Sequence, residues 1–223
     1  SFYEEPRGGL HELVRRLTYR DLFKKIKRFY LGSPKEILEI GSGSGFFLKY
    51  AETFYPNANI IGIEYDNRLH DRIRSHTNRA EVIQENAETF VLPKKFDLIV
   101  STHVIEHLFN PANMIIRCKE HLGPGGIVII TTPNNGGLGS RLHGQKWGGV
   151  RPDHISLKSL DEWKSLIEQH GGRILYSGST FFSGIRIMRR LPIRLFNDLL
   201  LLIFGSLKWS HGEACILVWT PHE

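Results

Sequence analysis

Glu39-Ile40-Gly41-Ser42-Gly43-Ser44-Gly45 sets three glycines at alternate positions, directly behind the apolar run from Glu36 to Ile40. Glycine lets the chain turn sharply, and it leaves no side chain between the backbone and a bound cofactor. The stretch reads as a strand, a cofactor loop and the start of a helix, with Glu39, Gly41, Ser42, Gly43 and Gly45 as cofactor-binding residues. Taken alone, G-x-G-x-G also admits a dinucleotide enzyme, but that enzyme's G-x-G-x-x-G asks for glycine where Phe46 stands. A second strand, Ile60-Ile61-Gly62-Ile63-Glu64, ends about 20 residues later in a carboxylate that can accept hydrogen bonds from both ribose hydroxyls. Glu64 takes that role, with Tyr65 beside it; the competing reading is a solvated residue at a strand end. Glu39 lies inside the first strand, where a carboxylate is costly unless partnered, so part of the cofactor is expected against it.

Outward from the loop, strands at 60–65, 81–84, 96–102 and 126–132 alternate with helical stretches near 44–55, 67–76 and 110–122. Such alternation implies an α/β fold: a doubly wound, mostly parallel sheet with helices on both faces. Pro93, Pro111 and Gly123-Pro124-Gly125-Gly126 fall at the boundaries. Ahead of the loop, Leu10, Leu13, Val14, Leu17, Phe23, Ile26 and Phe29 recur at three- and four-residue steps, an amphipathic helix over 10–31. Behind it, the glycine-heavy stretch from Pro133 to Gly149 reads as a lid. A helix over 157–170 and two last strands, 173–179 and 215–220, follow, with an insertion at about 181–210. The chain reads as one domain, 1–223: a helical cap (1–35), a cofactor half (36–133) and a substrate half (134–223).

The 223 residues, 41% apolar and 23% charged, have ordinary globular composition. The two cysteines, Cys118 and Cys215, sit in apolar or helical stretches, which argues against disulfides and for a reducing compartment. With no secretory signal at Ser1, the expected location is cytoplasmic. The net charge of +6 is uneven: residues 1–35 hold nine Lys/Arg against four Asp/Glu, and 184–210 hold five against one. Such segments can attract phosphates of nucleic acid, nucleotide-sugars or lipid headgroups, or can be solvated helix faces.

Glu39 to Gly45, Glu64, Asn86-Ala87-Glu88, Phe96-Asp97-Leu98-Ile99-Val100, Glu106-His107-Leu108 and Leu122-Gly123-Pro124-Gly125-Gly126 together resemble the class I S-adenosylmethionine-dependent methyltransferases, in order over 36–133. The resemblance implies S-adenosylmethionine as cofactor, S-adenosylhomocysteine as product, and a Rossmann-like seven-stranded sheet whose antiparallel last strand is 215–220. It assigns Asn86 and Ala87 to the adenine, although Asp is commoner than Asn there, and sets Thr102 and His103, at the end of strand four, beside the cofactor. The ubiquinone-biosynthesis O-methyltransferase type, with related sugar and lipid enzymes, is the most similar.

Methyl transfer from a sulfonium needs in-line approach and little else, but a hydroxyl acceptor gains from a general base, and histidine suits that task. His103, Glu106 and His107 form H-x-x-E-H; on a helix that spacing would place all three on one face. His154, in Arg151-Pro152-Asp153-His154, is the second candidate, so His103 and His154 are the expected catalytic residues. In ubiquinone-type and small-RNA methyltransferases a similar segment beginning with Glu supplies metal ligands; here His103 replaces that Glu, and a divalent metal is the alternative. Purely structural histidines are a third reading.

Arg186, Arg189, Arg190 and Arg194 precede Leu199-Leu200-Leu201-Leu202-Ile203-Phe204, a run too short to span a bilayer. The region 185–209 is therefore read as a peripheral membrane contact, a homodimer contact or a roof over the acceptor pocket. The leading function is O-methylation of a small, sugar or lipid-linked acceptor. Against it stand RNA methylation, disfavoured as a nucleic-acid partner because no RNA-binding module or stacking platform is visible, and a cofactor-binding regulator without turnover.

Overall fold

The strand that runs into the glycine turn lies at the centre of the sheet. The computed structural model describes residues 9–181, 199–200 and 203–222. Seven strands, β1 (Glu36–Ile40), β2 (Asn59–Ile63), β3 (Glu81–Ile83), β4 (Phe96–Thr102), β5 (Leu122–Pro133), β6 (Gly172–Ser179) and β7 (Ala214–Pro221), form one sheet in the order β3-β2-β1-β4-β5-β7-β6. The first five pair in parallel, and β7 runs antiparallel between β5 and β6. This is the expected Rossmann-like arrangement with its reversed last strand. The helices α1 (Gly9–Phe29), α2 (Phe46–Phe54), α3 (His70–His76), α4 (Pro111–His121), α5 (Leu138–His143) and α6 (Leu160–Gln169) accompany the sheet, with short 3-10 turns at Asn67–Leu69, Ile105–His107 and Gly144–Lys146.

Strand side chains alternate between two cores, as a sheet covered on both faces requires. Ile37, Leu98, Val100, Ile127 and Ile129 pack with Leu22, Phe23 and Ile26 of α1 and Phe47 of α2. Leu38, Ile40, Ile99, Val128 and Ile130 point the other way, onto Met114, Ile115 and Cys118 of α4 and Trp163 and Ile167 of α6. Cys118 and Cys215 are free, buried thiols whose pKa burial pushes up, so both serve as small apolar residues.

Several boundaries differ from those expected, each for a local reason. The helix expected from Leu157 starts at Leu160, because Ser159 accepts the Glu162 N–H while Glu162 accepts the Ser159 N–H, a capping box. Strand five begins at Leu122 rather than Gly126, since Leu122 already pairs with Phe96. The stretch expected as a loop or lid after Pro133 contains α5 and is tied down. Asn134 donates to the carbonyls of Ser210 and Gly212 and accepts from Gly136 and Leu160. Buried Glu213 accepts from the Gly139 N–H and from Trp147 Nε1 at 2.6 Å. Most of the insertion at 181–210 lies outside the described residues.

Glu52, at the end of α2, accepts the backbone N–H groups of Asn78, Arg79 and Ala80, clamping α2 to the turn before β3. Burial pulls its pKa up, but these three donors and the Arg79 charge outweigh it, and the net shift is down. A depressed carboxylate stabilises the fold above its unfolded pKa and loses that contribution as pH falls through the folded value. Glu52→Gln therefore lowers the melting temperature at pH 7, and the gap to wild type narrows between pH 5 and pH 3. A thermal-denaturation series across that range checks it; a gap independent of pH would exclude the ionised clamp.

Candidate active site

At the end of β1 the chain turns at once. Gly41 and Ser42 donate to the Ile63 carbonyl, and Gly41, Gly43 and Gly45 all take positive φ, 72°, 50° and 74°. A Cβ on Gly41 would strike the Val104 side chain, and one on Gly45 would lie 3.0 Å from Ile73 Cγ2. Two of the three glycines are thus required both by backbone conformation and by space. His76 of α3 donates from Nδ1 to the Ser44 carbonyl at 2.7 Å and stacks on Phe46, bracing the far side of the loop.

Glu64 stands one residue beyond β2. Its carboxylate accepts the Gly43 N–H at 2.8 Å and the Asp66 N–H at 3.0 Å, so the loop after β1 and the end of β2 are held together. Tyr65, beside it, is 70% exposed. Asn86 follows β3 and spends one acceptor site on its own turn, Oδ1 receiving the Glu88 N–H at 2.8 Å, while Ala87 packs on the core.

Two polar atoms at this loop are buried without a hydrogen-bond partner among the described residues: Glu39 Oε2 and Ser42 Oγ. Burial raises the Glu39 carboxyl well above the usual carboxylate range, against the pull of the nearby Ser42 hydroxyl, and the neighbouring Glu64 charge adds to the rise. Buried polar atoms left without partners are a deficit that a polar ligand would fill.

Across the loop, β4 ends at Thr102, paired with Thr131, and His103 follows with φ 56°, the only described non-glycine residue in the left-handed region. Such strain, on the order of 1–3 kcal/mol, gathers at functional sites. The H-x-x-E-H segment is not the helix expected. The His103 N–H is still taken by the Thr131 carbonyl, so the chain must turn abruptly, and residues 105–107 make a single 3-10 turn. In consequence His103 and His107 do not share a face.

What gathers instead is centred on Glu106. Its buried carboxylate meets His103 Nδ1 at 3.2 Å and accepts from Thr132 Oγ1 at 3.0 Å. Burial pulls its pKa up, but these bonds and the His103 charge outweigh it, and the net shift is down, leaving Glu106 ionised. His107 Nδ1 lies 2.8 Å from the Asp153 carbonyl and His154 Nδ1 lies 2.7 Å from that of Gly149. A carbonyl only accepts, so in each neutral ring Nδ1 carries the proton and Nε2 the lone pair. The two rings meet edge to face at 4.7 Å, and Glu106, His107 and His154 offer ligating atoms within 4.8 Å of one another. Burial lowers the His154 pKa, against the pull of the Gly149 carbonyl and of Glu106. His154 thus joins Glu106 and His107, while His103 contacts the same carboxylate without being part of that group.

Thr132, Gly149, Asp153 and the Glu213–Trp147 pair were not singled out from the sequence. Backbone carbonyls leave no trace in residue identity, and Glu213 is 107 positions from Glu106.

A family model described as a methyltransferase domain matches residues 13–176. The chain belongs to that family. It is 31% identical over 140 residues to the probable S-adenosylmethionine-dependent methyltransferase Rv3030 of Mycobacterium tuberculosis, covering 62% of this chain and 49% of that one. The ubiquinone biosynthesis O-methyltransferase of Rickettsia typhi is 28% identical over 130 residues, 57% of this chain and 52% of that one. This chain thus spans about half the length of these curated relatives. Among solved structures, the plantazolicin methyltransferase BpumL, in complex with a triazolic desmethylPZN analog and S-adenosylhomocysteine, superposes with a TM-score of 0.69 at 15% identity, over 99% of this chain and 88% of that one. That likeness is one of fold.

S-adenosylmethionine is the cofactor of the family, and the residues present fit it. Glu64 would hold the ribose, and the unpartnered Glu39 and Ser42 atoms offer an acceptor and a hydroxyl to the methionine end. Glu64→Gln keeps a neutral acceptor in place but removes the charge, so it weakens S-adenosylmethionine binding about tenfold or more by titration calorimetry. Gly41→Ala abolishes measurable binding. Circular dichroism separates either loss from unfolding, and binding unaltered in both variants would exclude this loop as the cofactor site.

Proposed function

We propose that the chain transfers a methyl group from S-adenosylmethionine to an oxygen of a small, sugar or lipid-linked acceptor, with His154 as general base. The observation that carries the reading is the His154 ring: Nδ1 is committed to the Gly149 carbonyl, burial keeps the ring neutral near pH 7, and Nε2 is left to take a proton. When bound, the sulfonium supplies an electrophilic methyl and a good leaving group. His154 withdraws the acceptor's hydroxyl proton at Nε2 as the oxygen attacks. Ionised Glu106, close by, stabilises the imidazolium that results. His103, across Glu106, is the second candidate base, and its contact with the same carboxylate fixes its ring. O-methylation is also the activity named for the Rickettsia relative.

A second reading rests on the same cluster: Glu106, His107 and His154 as ligands of a divalent ion, both imidazoles oriented through Nδ1 by carbonyls as metal-bound histidines commonly are.

Transfer of label from methyl-tritiated S-adenosylmethionine into a metabolite extract identifies the acceptor. With that acceptor, His154→Ala lowers the rate by about 10²–10⁴-fold while cofactor affinity is retained. Because the His154 pKa lies below its ordinary value, the acid limb of the wild-type pH profile falls below pH 6.5. Activity that survives a chelator, with no stoichiometric metal by mass spectrometry, supports the base; loss of both ion and activity supports the metal. Label in RNA, or tight cofactor binding with no labelled product, would overturn the small-acceptor reading.

A further inference from the structure

Arg16, Arg20, Lys24 and Arg28 recur at four-residue steps along α1, all exposed, and Lys27 stands beside them, also exposed. A four-residue step keeps these side chains in one stripe. Between residues 16 and 28 the only acid is Asp21, and it is buried in an ion pair with Lys25 at 2.8 Å.

Asp21 does a second thing. Its Oδ2 accepts from the Ser206 N–H at 3.2 Å and from Ser206 Oγ at 2.9 Å, and a Cβ on Gly205, where φ is 63°, would collide with the same carboxylate. Tyr176 of β6 bonds the Ser206 carbonyl at 3.0 Å, and Lys25 lies over its ring. The chain at 205–206 is thus locked against α1 within one turn of the cationic stripe. Immediately before it stand Leu199, Ile203 and Phe204, helical and 47%, 56% and 56% exposed. Three large apolar side chains held in water beside a row of cations is the composition of an interfacial surface, in which cations meet headgroups and apolar groups enter the acyl boundary. An acidic nucleic acid would use the cations but leave the apolar trio wet.

We propose that α1 and the apolar residues Leu199, Ile203 and Phe204 ahead of Ser206 form one docking face for an anionic lipid bilayer, with Arg20, Lys24, Lys27 and Arg28 as its electrostatic half and the apolar trio as the other. The Asp21–Ser206 contact sets the two halves side by side. The inference is independent of which acceptor is methylated. No described helix is long and apolar enough to cross a membrane, so the contact is peripheral.

Flotation with vesicles of phosphatidylcholine alone, and of phosphatidylcholine with 30% phosphatidylglycerol, tests it directly, at about 50 and 300 mM salt. The expected result is binding to the anionic vesicles only, weakened at the higher salt. Each stripe cation near the surface is worth about fivefold, so Arg20→Glu/Lys24→Glu/Arg28→Glu weakens binding at least about a hundredfold. Ile203→Asp/Phe204→Asp weakens it about tenfold or more. All five side chains are exposed, and an unchanged melting temperature and S-adenosylmethionine affinity show that neither variant is misfolded. Absence of anionic-vesicle binding, equal binding to neutral vesicles, wild-type binding by the triple variant, or binding to a DNA duplex without vesicle binding would each overturn the proposal.

Discussion

The clasp between Glu64 and the Gly43 N–H is the constraint on which the glycine loop after β1 depends. Parallel strands end side by side, and here the end of β2 reaches across to hold the turn that follows β1, while the Ile63 carbonyl takes Gly41 and Ser42 from behind. A loop gripped from the neighbouring strand cannot relax outward, so its glycines are driven into left-handed conformations and into contact with Val104 and Ile73. The same grip leaves Glu39 and Ser42 enclosed beneath the loop with polar atoms unmet. Shape and deficit together make a site for a small polar ligand, because both are built into the free protein.

Buried carboxylates recur as the fasteners of this fold. Glu52 gathers three backbone N–H groups at the turn before β3, Glu106 gathers His103 and Thr132 at the end of β4, and Glu213 gathers Gly139 and Trp147 at the start of β7. Each joins segments distant in sequence, and each is tolerated because donors converge on it. The Glu213 contact reaches His154 indirectly: it seats Trp147, whose ring closes on Gly149, and the Gly149 carbonyl sets the tautomer of His154. The glycine-rich segment after Pro133 is therefore part of the scaffold of the site. Glycine there serves close approach to Glu213 and Trp147, a use that a reading of composition takes for mobility.

Residue pattern alone carried the order of strands and helices and the glycine turn after β1, because these follow from local rules: apolar periodicity and glycine where the backbone must turn; the reversed last strand came with the resemblance of the shared motifs. The shared motifs then named the cofactor. Tertiary structure decided which groups gather around Glu106. Three-and-four spacing put His103, Glu106 and His107 on one helical face, but the β4–β5 pairing runs on through His103 and forces a left-handed turn that divides them. It also decided that His154 belongs with Glu106 and His107, that backbone carbonyls of Gly149 and Asp153 choose its proton and that of His107, and that Asp21 of α1 meets Ser206, more than 170 residues away. Such proximities depend on how distant segments close on one another, and residue order along the chain holds no local trace of that closure.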